Sequence, residues 1–142
     1  MKYMPRVKSV MTPFPNSVEL DITANEALDI MKEHDIRHLP ATENNQLIGV
    51  ISERDIQFHL EHPTPKEKKL TVRDIYLPDP YIADLNEPLD KVLSFMSENH
   101  VGAALITRKN KLVGVFTEKD ACKSFSELLQ KQYPVEGDDI LA

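Results

Sequence analysis

Two short runs in this 142-residue chain carry residues able to hold a polar ligand: Gly114-x-x-Thr117-x-x-Asp120 and Gly49-x-x-Ser52-x-x-Asp55. A glycine lets a planar group approach the backbone. A hydroxyl residue at a helix start sits among free N–H groups at the positive end of the helix dipole, which favour an anion. Thr117 there could donate to a phosphate oxygen. Asp120, one turn on, is an acceptor-only carboxylate that could take both hydroxyls of a ribose. The same spacing also fits plain helix capping, worth about 1 kcal/mol each, and one set of side chains can serve both ends. A third element, Arg37-His38, offers a guanidinium fork for phosphate and a donor that titrates near neutrality. Its alternative is an exposed pair at a strand end.

Other reactive residue types form no such pattern. His34, His59, His62 and His100 lack metal-ligand spacing, and Cys122 is the single cysteine. No serine–histidine or cysteine–histidine pair is supported by its context. The methionines sit on helical core faces or near the start. Tyr81, beside Pro80, could stack on a base or simply pack.

Composition narrows the classes further. Apolar residues are 41% and charged residues 28%, enough for an ordinary globular core and too apolar for a disordered chain. The net charge of −6 argues against a nucleic-acid binder, which needs a basic face. No apolar run is long enough to span a membrane, and Met1-Lys2-Tyr3-Met4-Pro5-Arg6 is no signal peptide. With one cysteine, these features predict a cytoplasmic protein without membrane or nucleic-acid partners.

The elements that position the polar residues come in two copies. Shifted by 65 residues, the chain matches itself at fourteen positions between 7 and 56, including Pro13/Pro78, Leu28/Leu93, Met31/Met96, Asn45/Asn110, Gly49/Gly114 and Asp55/Asp120. Chance gives about three. In the first copy, Thr23 and Glu26 form a capping box for a helix through His34. Strands follow at Ile36–Ala41 and Leu47–Ile51 around a polar turn, and Ser52 caps a helix through Leu60. In the second copy, Asn86 caps a helix with Pro88 in its first turn. Strands at Val101–Thr107 and Leu112–Phe116 precede a helix capped by Thr117 that runs through Lys131. Short leading strands fall near Ser17–Leu20 and Ile82–Leu85. The boundaries read as repeat one over 5–62, a charged, proline-bearing linker over 63–70, repeat two over 71–131 and a tail over 132–142. Each unit alone has a thin core, so two related units pack together and leave clefts between them.

This pattern resembles the cystathionine-β-synthase (CBS) domain pair, the Bateman module. The resemblance rests on Val10-Met11-Thr12-Pro13, on Ile36-Arg37-His38-Leu39-Pro40, and on the run from Gly49 to Asp55 echoed from Gly114 to Asp120. It covers about residues 5–125. It implies an α/β (α+β) fold: two tandem β-α-β-β-α CBS repeats packed as a pseudo-twofold pair. It also implies a regulatory module, not an enzyme, that senses AMP, ADP or ATP, with S-adenosylmethionine and NAD as further candidates, and needs no catalytic cofactor or metal. By resemblance, the better cleft joins Arg37 and His38 to Thr117 and Asp120, with Val18 and Val115 near the adenine. The weaker cleft has Val50, Ser52, Asp55 and Ile82, but Gly102 and Ala103 in place of the basic pair. The four apolar residues are equally good core residues. The family also suggests a stand-alone homodimer, joined through helices and read by an effector protein. The alternative function is a dimerisation or interaction module without a ligand.

Overall fold

The computed structural model describes residues 2–13, 16–62 and 69–135. A 3-10 turn at Val7–Ser9 leads to β1 (Thr12–Pro13), β2 (Val18–Glu19), α1 (Ala24–Glu33), β3 (His38–Glu43), β4 (Gln46–Ser52) and α2 (Glu53–Glu61). Then come α3 (Val72–Ile75), β5 (Leu77–Pro78), β6 (Ile82–Asp84), α4 (Leu89–Glu98), β7 (Ala103–Arg108), β8 (Lys111–Thr117) and α5 (Glu118–Gln132).

Local chemistry explains most boundaries. Thr23 caps α1 by accepting the Glu26 backbone N–H at 3.1 Å. The Glu26 side chain makes no return bond, so only half of the expected box forms. Ala24, Ala27, Leu28 and Met31 make the buried face of α1 at helical spacing. Both α1 and α4 end with a left-handed residue, Asp35 (φ 52°) and His100 (φ 54°), which turns the chain out of the helix. The β3–β4 and β7–β8 hairpins turn on Asn44-Asn45 and Lys109-Asn110, all with positive φ, as a two-residue hairpin turn that matches strand twist requires. Asn86 does not cap α4. Pro88 is the N-cap residue, with the extended ψ of 135° that a chain entering a helix needs. Asn86 instead donates its backbone N–H to Asp84 at 2.8 Å in the preceding turn.

The strands form two four-stranded sheets of the same order, β2-β3-β4-β5 and β6-β7-β8-β1. In each, the leading strand pairs parallel to the next, which forms an antiparallel hairpin with its follower. Irregular register recurs at the same place, Ala41/Thr42 and Ile106/Thr107. In each sheet one of the two outer strands comes from the chain that leads into the other half. β1 lies on β8, pairing Thr12 with Val115 and Pro13 with Gly114. β5 lies on β4, pairing Gly49 with Pro78.

That crossing corrects the sequence reading of the two glycines. A methyl group on Gly114 would stand 2.5 Å from Met11 Sδ and 2.9 Å from the Thr12 carbonyl oxygen. One on Gly49 would collide with the Leu77 carbonyl oxygen and the Tyr76 ring. The missing side chains admit the crossing strands, so these faces are not left open for a planar ligand.

Two cores result. The first gathers Leu20, Leu28, Met31, Leu39, Ile51 and Ile56 together with Val72 and Ile75. The second gathers Val92, Met96, Ala104, Ile106 and Phe116 together with Val7. Each fully buried aliphatic or aromatic side chain contributes about 1.5–3 kcal/mol. Residues 7–13 thus complete the second half and residues 70–78 the first, so the packed units interlace across the sequence boundaries. A smaller cluster of Ala103, Leu105 and Val115, packed against Leu47 and Leu112, joins the inner faces of the two sheets. Residues 63–68 of the expected linker and 136–142 of the expected tail lie outside the described residues. Among the described residues no helix is long and apolar enough to cross a membrane.

Candidate functional site

The start of α5 is built as its sequence suggests. Thr117 is the N-cap, with extended backbone, and forms a capping box with Asp120. Asp120 Oδ2 accepts the Thr117 N–H at 2.9 Å and the Thr117 hydroxyl at 3.2 Å. The other oxygen, Oδ1, accepts the Thr12 hydroxyl at 3.3 Å. Thr12 was not singled out as a site residue, although it lies in the entry run Val10–Pro13. Its β1 strand crosses onto β8 and so reaches this carboxylate 108 residues away.

The start of α2 is a looser copy. Ser52 caps it, its hydroxyl donating to Asp55 Oδ2 at 2.8 Å and accepting the Asp55 N–H at 3.1 Å. Asp55 Oδ1 has no hydrogen-bond partner among the described residues. Asp120 is therefore held from two elements, whereas Asp55 is held from one.

Arg37 and His38 occupy the loop and first residue leading into β3. One contact brings this stretch to the first turn of α5 and another to the residue before β7. Lys119 Nζ lies 3.0 Å from Asp35 Oδ2, and His38 Nε2 approaches Gly102, standing 3.5 Å from where its Cβ would be. The Glu118 carboxyl stands 3.7 Å from the same point. Arg37 is exposed, and its carbonyl accepts the Glu53 N–H at 2.9 Å. His38 is half-buried, and burial pushes its pKa below the ordinary 6.5. The Glu118 and Asp55 carboxylates pull the other way. His38 therefore lies beside Gly102 of the expected weaker cleft and Glu118, the neighbour of Thr117 at the α5 start. Glu118 repeats Glu53 in the sequence, but its spacing alone assigns it no site role.

The four apolar candidates separate. The Val18 side chain is 3% exposed and part of the first core, so it is not free to sandwich a ring. Val115 is buried in the inter-sheet cluster. Val50 is half-buried in β4, between Pro40 and Leu77. Ile82 is 48% exposed and lines a hollow of about 760 Å³ together with Ser17, Glu19, Thr42, Asn45, Leu47 and their counterparts Thr107, Asn110 and Leu112. That hollow sits at the hairpin-turn ends of the sheets. The hydroxyl–aspartate pairs and His38 are at the opposite ends of the same strands. Tyr81 stacks on Phe95 with ring centroids 3.9 Å apart, which takes up a face a base would need. Among the described residues no three histidine, cysteine, aspartate or glutamate side chains gather to hold a metal ion.

The CBS domain profile matches twice, over residues 7–62 and 72–127. The chain belongs to the CBS domain family. The pair is 29% identical to L-aspartate semialdehyde sulfurtransferase of Methanocaldococcus jannaschii over 84% of this chain and 23% of that protein. It is 28% identical to inosine-5'-monophosphate dehydrogenase of the same organism over 90% of this chain and again 23% of the relative. The chain thus spans about a quarter of these two proteins. Among solved structures, a putative acetoin utilization protein (AcuB) from Vibrio cholerae superimposes with a TM-score of 0.79 at 26% identity, covering 94% of this chain and 99% of that one. The CBS domain pair of MJ0100, solved in complex with 5'-methylthioadenosine and S-adenosyl-L-methionine, gives a TM-score of 0.78 at 27% identity, covering 88% and 98%.

Proposed function

We propose that this CBS pair is a regulatory module that binds an adenosyl compound between its halves and passes its occupancy to a partner protein. AMP, ADP and ATP are the leading ligands, and S-adenosylmethionine and NAD the next. The reading rests on one observation: the α5 start, with its hydroxyl and carboxylate, meets the basic stretch of the other half through Lys119–Asp35 and through Glu118 and His38, which both stand over Gly102. A ribose held by Asp120 would then have Thr117, Arg37 and His38 on its phosphate side. The MJ0100 pair and its two adenosyl ligands support the ligand class. Regulation requires that the ligand bind one arrangement of the halves, or of two subunits, better than another.

A thermal-shift series with AMP, ADP, ATP, NAD and S-adenosylmethionine tests this. A ligand at 100 times its dissociation constant stabilises by about 2.7 kcal/mol. Asp120→Ala should abolish the shift from a nucleotide, and Asp55→Ala should spare it. The reverse result would move the site to the other cleft, and no shift with any compound would sink the reading.

A second reading is favoured by α5 itself. No residue of this 15-residue helix is fully buried, and Phe125, Leu128 and Leu129 are exposed along it. A helix with so little covered face gains stability from a partner surface. A second copy joined through these helices would make the chain a dimerisation module with or without a ligand. Light scattering on the purified protein should give a dimer mass, and Phe125→Ser with Leu128→Ser a monomer. A monomeric parent protein would remove this reading.

A further inference from the structure

Glu53 and Glu118 open the two closing helices at equivalent places, and each donates its backbone N–H to the residue before its partner strand, Arg37 and Gly102 respectively. The first half therefore sets a guanidinium at the position where the second has no side chain. Glu118 makes no hydrogen bond or ion pair through its side chain among the described residues. The group that leans into the space above Gly102 is His38, from the other half. Its Nε2 and the Glu118 carboxyl lie within 3.7 Å of one point. Under the adenosyl reading, a phosphate set beside Arg37 and His38 would lie against this point.

We infer that Glu118 is a specificity-determining residue that selects ligands by the charge of their tail, acting with His38 across Gly102. The inference rests on the proposed adenosyl site. The Glu118 carboxylate repels an anionic tail and favours a neutral or cationic one. Protonation of His38 offsets that repulsion. The charged groups around His38 are Glu118 from α5, Asp55 from α2 and Arg37 beside it in the chain, while Lys119 is engaged by Asp35. Burial keeps His38 below its ordinary pKa, so the imidazole is largely neutral at pH 8. An anion arriving beside it raises its proton affinity. Binding of an anionic tail then takes up a proton, and affinity rises as pH falls from 8 to 6. A neutral ligand has no such dependence.

Two measurements on the full chain test the assignment. The first follows the His38 ring by NMR through a pH titration without ligand. Glu118→Gln should make His38 titrate at lower pH, because a carboxylate that favours the imidazolium is gone. An unmoved titration overturns the pairing. The second compares adenosine 5'-sulfate, whose anion does not titrate near neutrality, with adenosine by calorimetry. The sulfate ester should bind roughly fivefold tighter at pH 6 than at pH 8, and adenosine equally at both. Glu118→Gln should tighten the ester about threefold at pH 8, and His38→Gln should remove its pH dependence. An ester affinity that Glu118→Gln leaves unchanged or weakens overturns the charge filter. If neither compound binds the parent protein, the adenosyl reading falls, and with it the filter. The NMR titration would still decide whether Glu118 and His38 sense each other.

Discussion

The two halves head their closing helices with the same pattern of a hydroxyl residue, a glutamate and an aspartate, yet differ at the two residues that lead into the middle strand. The first half carries Arg37 and His38 there, and the second Gly102 and Ala103. What both copies retain is what each copy's backbone needs: caps, left-handed turn residues and glycines under a crossing strand. What has diverged is charge at the entry to the middle strand. No local conformation depends on that charge, so the copies are free to differ in it. The carboxylates diverge too, with Asp120 fixed by Thr117 and Thr12 and Asp55 only by Ser52. A fixed carboxylate loses less freedom on binding, which favours the Asp120 side as the better-organised half of a site.

The sharpest way to break the comparison is at the glycines. Gly49→Ala should cost about 3 kcal/mol in chemical denaturation, because the new methyl meets a backbone carbonyl and a tyrosine ring. Gly114→Ala should cost about 1–2 kcal/mol, since one of its neighbours is the flexible end of Met11. Equal losses would mean that the two crossings are equally rigid. Next come the caps. Asp120→Ala removes the acceptor of the Thr117 N–H and should lower stability by about 1 kcal/mol. Asp55→Ala should lower it by about half as much, and a larger loss at Asp55 would reverse the ranking of the two helix starts.

A smaller effect separates the halves by pH. The folded-state pKa of His38 lies below 6.5 because the ring is buried. The unfolded chain therefore binds more protons as pH falls through that value, and stability without ligand should decline from pH 7 towards pH 5. His38→Gln should flatten that decline. An Ala103→Ser control should leave it intact, because nothing titrates at the equivalent place in the second half. An unchanged slope in His38→Gln would show that other groups govern it. Least of all, Lys119→Ala should leave the melting temperature within error, because the Lys119–Asp35 pair is exposed on both sides. A measurable loss would show that the pair holds the halves together.

The repeat, the helix faces and the hairpin turns were legible because each is a local pattern. Ala24, Ala27, Leu28 and Met31 announce a buried helical face by spacing alone, and Asn45/Asn110 announce a turn by residue type. Asn86 misled because an asparagine two residues before a proline can cap a helix or make a turn, and spacing does not separate these. Strands β1 and β5 have two residues each, too few for any alternation to register.

By itself the sequence determined that the chain is a duplication, that each copy is β-α-β-β-α, and that a hydroxyl and an aspartate head each closing helix. These follow from contacts between residues near in the chain. Only the tertiary structure decided that Thr12 reaches Asp120, that the glycines lie under crossing strands, that Val18 is committed to a core, and that His38 faces Glu118 across Gly102. Those facts depend on which segments meet after the halves interlace. Pairings between residues roughly 20 to 110 positions apart leave no periodic trace, because they are set by which sheets and strands are buried together and not by any local preference.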